Sequence, residues 1–224
     1  MEGIGQGNST LKGIFITGTD TGVGKTYLTA LLTRTLRQQG IPAIALKPVA
    51  SGDRSDAAQL AGAMDHALAI PQINPIHFTA PLAPYAASRV GDQPFPWNLL
   101  HSHWKEMTTA HPGPFLVEGV GGWRVPLDST HTVREWAREL GLPVVVVCRA
   151  SLGTLNHTLL TVDSIRKAGL PLPGVVMNFH SNPEDEATRT NPGILEEWSK
   201  LPVARLSAGA TDWKIPGWLG SVLS

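Results

Sequence analysis

Apolar residues fall along this chain in two patterns. The first is the short unbroken run: Ile14-Phe15-Ile16, Phe115-Leu116-Val117, Val144-Val145-Val146-Val147-Cys148 and Val175-Val176-Met177. A run that is apolar at every position, and not at every second one, predicts a strand covered on both faces. Strands are expected at 12–17, 42–46, 115–118, 143–148, 174–178 and 202–206, with 143–148, the most apolar, in the middle of the sheet. The second pattern has helical spacing. Leu28, Leu31, Leu32 and Leu36 place a helix over 25–39, stopped by Gly40. Further helices are expected over 55–64 with Ser55 as cap, 97–109, 132–140, 154–168 and around 194–198. Gly141 and Gly169 end two of them.

Strand and helix alternate, which predicts an α/β fold: a mostly parallel sheet with helices on both faces. No internal repeat or linker divides the chain, so residues 1–224 are expected to form one domain. Residues 1–11, polar and glycine-rich, read as a flexible tail. Residues 50–52 read as a glycine-containing turn. Residues 70–96 break the pattern. Six prolines in that stretch predict loops and short extended pieces. Trp213 and Trp218, in the tail after 206, are expected to pack.

In such a sheet, ligands sit beyond the carboxyl ends of the strands, and polar clusters stand there. After the first strand comes Gly18-Thr19-Asp20-Thr21-Gly22-Val23-Gly24-Lys25-Thr26. Strand, glycine-rich turn and helix is the setting of a phosphate-binding loop. The first helical turn has amides without intrahelical partners and a dipole that favours anions. Lys25 adds a charge for the terminal phosphates, and Thr26 a hydroxyl for Mg2+. The loop is one residue longer than the usual spacing, because its first glycine is Gly18 and not residue 19.

After the second strand stands Lys47-Pro48-Val49-Ala50-Ser51-Gly52. Lys47 at a strand tip can stabilise developing anionic charge; a solvated surface lysine is the competing reading. Asp53 and Asp56 follow, each a possible Mg2+ ligand or a helix cap. After the third strand comes Glu118-Gly119-Val120-Gly121-Gly122, where a nucleotide-hydrolysing site puts its second metal ligand. After the fourth comes Ser151-Leu152-Gly153-Thr154-Leu155-Asn156-His157, a helix start suited to an anion or simply capped by Ser151 or Thr154. Asn178, after the fifth, could read a base edge or make a turn.

Composition narrows the classes. Lys plus Arg and Asp plus Glu are 18 each, so no basic excess points to nucleic acid or to a membrane surface. No apolar run approaches the ~20 residues of a membrane span. The N-terminal residues lack the pattern of a signal peptide. A cytoplasmic protein is expected. Cys148, the single cysteine, lies inside an apolar run and reads as a buried core thiol. The eight histidines show no metal-binding spacing.

Taken together, four stretches resemble one family, the dethiobiotin synthetases, over about residues 13–178. They are Thr17-Gly18-Thr19-Asp20-Thr21-Gly22-Val23-Gly24-Lys25-Thr26, Lys47-Pro48-Val49-Ala50-Ser51-Gly52, Val117-Glu118-Gly119-Val120-Gly121-Gly122 and Leu152-Gly153-Thr154-Leu155-Asn156-His157. The long phosphate loop is similar to that family's own variant. The resemblance implies a P-loop NTPase-like fold and an ATP- and Mg2+-dependent ligase of biotin biosynthesis. It would carboxylate 7,8-diaminopelargonate with CO2 and close the ureido ring.

By the same resemblance, Lys25, Lys47 and Thr21 would be catalytic. Thr26, Asp56 and Glu118 would hold Mg2+, with Asp56 preferred because Ser55-Asp56-Ala57 matches the family. The nucleotide would meet Gly22, Val23, Gly24, Lys25, Thr26 and Tyr27, then Asp56, Glu118, Gly119, Val120 and Gly121, with Asn178 and Phe179 at the base. Ser51 would contact the substrate. Gly153, Thr154, Leu155 and Asn156 would bind its carboxylate across the interface of a homodimer. Three features depart from the family: the short segment between Gly52 and Ser55, Phe179 in place of a common aspartate, and Ser207-Ala208-Gly209 in place of a proline-containing segment. Two other readings differ in class. An amide-forming relative of the cobyrinate type would carry a glutaminase domain with a reactive cysteine. A partition-type nucleotide switch would carry a second lysine near position 19 or 20, where Thr19 and Asp20 stand.

Overall fold

In a computed structural model, the described residues are 11–179 and 185–223. Apart from Leu11, the expected tail lies outside them. The main sheet has six strands: β1 (Gly13–Gly18), β2 (Ile44–Leu46), β5 (Phe115–Glu118), β6 (Val144–Arg149), β7 (Gly174–Phe179) and β8 (Val203–Ser207). Their spatial order is β2-β5-β1-β6-β7-β8. Every neighbouring pair is parallel. The expected fold class therefore holds, with β1 and β6 as the central pair.

Two cores explain the unbroken apolar runs. Ile14 and Ile16 join Leu28, Leu31, Leu32 and Leu36 of α1 (Lys25–Gln38) on one face, with Leu219 and Leu223 of α9 (Gly217–Leu223). Phe15, between the two isoleucines, points to the other face. There it meets residues of α2 (Ser55–Ala63), α5 (Trp97–Ala110), α6 (Val133–Leu140) and α7 (Thr154–Lys167). Successive side chains of a strand face opposite sides, so a strand with both faces covered must be apolar throughout. Trp213 and Trp218 pack against the α1 face, as expected.

The structure corrects four local expectations. Of the turn expected at 50–52, residues 50 and 51 are strand instead: β3 (Val49–Ser51) pairs in parallel with β4 (Ile76–Phe78) in a separate two-stranded sheet. Besides β4, residues 70–96 form α3 (Ile70–Ile73) and α4 (Pro84–Val90). Pro71 and Pro84 sit in the first turn of their helices, where a missing N–H costs nothing. Ser55 does not cap α2. Instead Asp53 Oδ1 accepts from the Ser55 amide at 2.9 Å and from its hydroxyl. The helix expected around 194–198 is α8 (Glu186–Ser199), capped by Asp185, which accepts from the Thr188 amide.

Candidate active site

β1 hands the chain to α1 through the glycine-rich loop. Gly22 and Gly24 adopt φ of 69° and 101°, a region that favours glycine. Lys25 opens α1, is 5 % exposed, and donates from Nζ to the Asp20 carbonyl at 3.0 Å. Its ammonium thus folds back over the loop. Burial lowers its pKa from 10.5 to about 8; the Glu118 carboxylate opposes the shift and the Lys47 ammonium adds to it.

Sheet register delivers the opposing groups. Glu118 ends β5 beside Ile16 of β1, and Lys47 follows β2, whose Leu46 pairs with Val117. Neighbouring strand tips therefore carry a carboxylate and an ammonium side by side. Lys47 Nζ donates to Glu118 Oε1 at 2.6 Å and to Asp56 Oδ2 at 2.5 Å. Thr26 Oγ1 donates to the same Glu118 oxygen at 2.8 Å. Glu118 and Lys47 are both buried. Burial alone would lower the lysine pKa, but the carboxylates of Glu118 and Asp56 outweigh it and hold the ammonium charged.

Thr26, Asp56 and Glu118 offer only oxygen donors, the chemistry a hard divalent cation prefers. Glu118 Oε2 is buried and has no hydrogen-bond partner. These residues fit Mg2+. Among the described residues there is no group of three or more His, Cys, Asp or Glu able to hold a metal. A cation here would complete its shell with water and phosphate oxygens, the usual habit of Mg2+.

A cavity of about 600 Å3 joins these groups. Thr21, Gly22, Gly24, Lys25, Thr26, Tyr27, Lys47, Ser51, Asp56, Glu118, Val120 and Gly121 line it. Ser51 Oγ is buried and has no partner, as suits a group awaiting a ligand. Ala50, Gly52, Asp53 and Ser55 line the cavity too, and the segment Pro81-Leu82-Ala83-Pro84 with Val125 forms a further wall. Sequence reasoning missed that wall, although apolar residues among the prolines were its one available signal.

The other expected residues stand elsewhere. Val23 is buried under the loop, and Gly119 sits so close to Phe15 that an added Cβ would lie 3.1 Å from its ring. Gly153, Thr154, Leu155 and Asn156 do not line the cavity. They form the start of α7, where Gly153 is the N-cap and neither Ser151 nor Thr154 caps the helix by its side chain. Asn178 and Phe179 also lie outside the lining. Asn178 Nδ2 donates to the Val23 carbonyl at 3.0 Å, and the Arg205 guanidinium stacks 4.0 Å from the Phe179 ring centre. The Tyr27 hydroxyl reaches the end of β8, meeting the Ala210 carbonyl at 2.8 Å and that of Ser207 at 3.2 Å.

Solved structures with this fold include the cell division protein FtsY of Thermotoga maritima, 15 % identical with a TM-score of 0.52. That match covers 95 % of this chain and 68 % of the other. The signal recognition particle 54 kDa protein of Aeropyrum pernix in complex with GDP gives 10 % identity and a TM-score of 0.57, over 97 % and 47 %. Fold and site together define a protein of the phosphate-loop class. The AAA domain family model matches residues 12–206. Proteins named ATP-dependent dethiobiotin synthetase BioD are similar over most of their length: 37 % identity in Akkermansia muciniphila, covering 86 % of this chain and 90 % of the relative, and 40 % in an Anaeromyxobacter species, covering 88 % and 90 %. A third, from Bacillus licheniformis, is 36 % identical over 90 % of this chain and 88 % of its own. The chain belongs to the dethiobiotin synthetase family.

Proposed function

We propose that this chain, acting as one phosphate-loop domain, converts 7,8-diaminopelargonate, CO2 and ATP into dethiobiotin, ADP and phosphate. One observation carries the reading. Two buried ammoniums, Lys25 and Lys47, and the oxygen donors of Thr26, Asp56 and Glu118 line one cavity with the unpartnered hydroxyl of Ser51.

The chemistry has two parts. One amine of the substrate combines with CO2 as a carbamate, whose oxygen attacks the γ-phosphorus and releases ADP. The second amine then attacks the carbonyl carbon of the resulting mixed anhydride. Phosphate leaves and the ureido ring closes. Both parts build negative charge on oxygen, and fixed cations aimed at that charge stabilise it. Lys25 holds the phosphoryl group being transferred. Lys47 stabilises the carbamate and the charge that moves through it. Thr21 and Ser51 contact the reactive end of the substrate. Thr26, Asp56 and Glu118 would hold Mg2+, which would supply charge neutralisation at the phosphates.

The substrate's carboxylate is assigned to Gly153–Asn156 of the partner subunit in a homodimer. The uncapped start of α7 suits that role. The exposed Leu152 and Leu160 beside it give a second copy an apolar surface to cover. No helix among the described residues is long and apolar enough to cross a membrane, and the proposed location is the cytoplasm.

The deciding assay combines purified protein, 7,8-diaminopelargonate, bicarbonate, Mg2+ and ATP. Dethiobiotin and ADP should form together. ATP hydrolysis that ignores the diamine, with no dethiobiotin, would refute the assignment.

A further inference from the structure

Arg149, the last residue of β6, was not singled out in the sequence. Its exposed guanidinium turns back over the phosphate loop. Nη2 donates to the Gly22 carbonyl at 3.1 Å and lies 3.5 Å from the Thr21 carbonyl. In the sheet register its partner on β7 is Asn178. Asn178, 4 % exposed, donates to the Val23 carbonyl at 3.0 Å. Two paired strand-end residues therefore hold three consecutive loop carbonyls, those of Thr21, Gly22 and Val23.

Those carbonyls matter because of the amides behind them. In a trans peptide the C=O and the following N–H point in opposite directions. Fixing the three carbonyls outward fixes the amides of Gly22, Val23 and Gly24 on the other side. Among the described residues none of these amides donates a backbone hydrogen bond. Successive amides turned inward make an anion-binding concavity. The glycines fit this arrangement closely. A Cβ at Gly24 would lie 2.0 Å from Asn178 Nδ2, and one at Gly22 would lie 3.3 Å from Arg149 Nη2.

We infer that Arg149 and Asn178 form an outer brace that shapes the phosphate loop for a polyphosphate chain whatever base it carries. Both are positioning residues: each acts on the phosphates through loop amides. The inference rests on the nucleotide site proposed above and deepens it. For Asn178 it adds a role that adenine recognition would not require.

Binding alone tests it, with two probes: ATP, and inorganic tripolyphosphate, which has no base. Titration calorimetry would compare the intact protein with Arg149→Met and Asn178→Ala. Arg149 is exposed, so Arg149→Met should keep its melting temperature while both probes lose about tenfold in affinity, the low end for a charged hydrogen bond. Guanidinium ion added to Arg149→Gly should restore part of the loss. Asn178→Ala should weaken both probes by the same factor. A variant that weakens ATP and leaves tripolyphosphate unchanged would overturn the brace and return its residue to base contact. Unchanged affinity for both probes in Arg149→Met would also overturn it. The binding measurements use no diamine, so failure to make dethiobiotin would refute the proposed reaction without touching the brace. An intact protein that binds neither probe would overturn both.

Discussion

The two flanks of β1 treat the phosphate loop in opposite ways. On the β5–β2 flank, charged side chains converge on one point: Lys47 bridges Glu118 and Asp56 within 2.6 Å, and Thr26 joins them from α1. On the β6–β7 flank, Arg149 and Asn178 aim at backbone carbonyls and present nothing to the cavity. One flank supplies charges that can meet reacting atoms; the other fixes the shape of the loop. The division follows from sheet order. The loop leaves the middle of the sheet, so strand tips stand on both sides of it, and the cavity opens on one side only.

If the division is right, the largest effect belongs to the charged flank. Lys47→Ala should lower turnover by about 100-fold or more, the usual consequence of losing one group that stabilises transition-state charge. ATP affinity should change far less, because Lys25 and the loop amides remain. Steady-state turnover set beside calorimetric ATP affinity checks this. Equal losses in both would make Lys47 a binding group and blur the contrast between the flanks.

A smaller, pH-dependent effect separates Lys25 from Lys47. With a pKa of about 8, Lys25 loses its charge just above neutrality in the free protein. A bound triphosphate favours the charged form. ATP binding should therefore take up a proton near pH 8 to 9, and affinity should fall by up to about tenfold per pH unit as pH rises through that range. Fold stability should move the other way. A lysine whose folded pKa lies below its unfolded value penalises the fold at low pH, and the penalty is relieved between about pH 8 and 10.5. Lys47, whose pKa is raised, should show neither trend in this range. Calorimetry in buffers of different ionisation enthalpy reads the proton uptake. Affinity that is flat from pH 7 to 9 would remove Lys25 as the titrating group.

Most of the charged flank was legible in the sequence because the loop, Lys47 and Glu118 each follow an apolar run; Asp56 follows none, and was picked out by Ser55-Asp56-Ala57 alone. Ile14 to Ile16 announces the loop, Ala43 to Leu46 announces Lys47, and Phe115 to Val117 announces Glu118. Strand ends in a parallel sheet gather at one edge, so reading the runs is enough to group the side chains. The shaping flank was harder to read. Arg149 closes the most apolar run of the chain, but its partner is a backbone carbonyl 127 residues away, and a carbonyl has no residue type to recognise. The sheet of β3 and β4 was missed for a different reason. Its strands are three residues long, too short to show any period, and the prolines around β4 mask it. Pro192 hid the length of α8 in the same way; packing of Leu195 and Asn191 holds that helix across a residue that normally breaks it.

The smallest effect tests how far the shaping flank extends. Tyr27 lies on α1, lines the cavity, and ties the helix to the segment after β8 through the Ala210 and Ser207 carbonyls. Burial raises the pKa of its hydroxyl, so the neutral donor is the form present near neutrality. Tyr27→Phe removes only those bonds. It should cost about 1 kcal/mol of stability, the net worth of a typical hydrogen bond, read from the denaturation midpoint. Affinity for ATP and for tripolyphosphate should both stay within about twofold, a change of under 1 kcal/mol. A selective loss of ATP, with tripolyphosphate unaffected, would show that residues 207–210 form part of the base pocket. The β6–β8 side would then hold the nucleotide directly as well as shape the loop, and the two flanks would differ in which part of the nucleotide they touch.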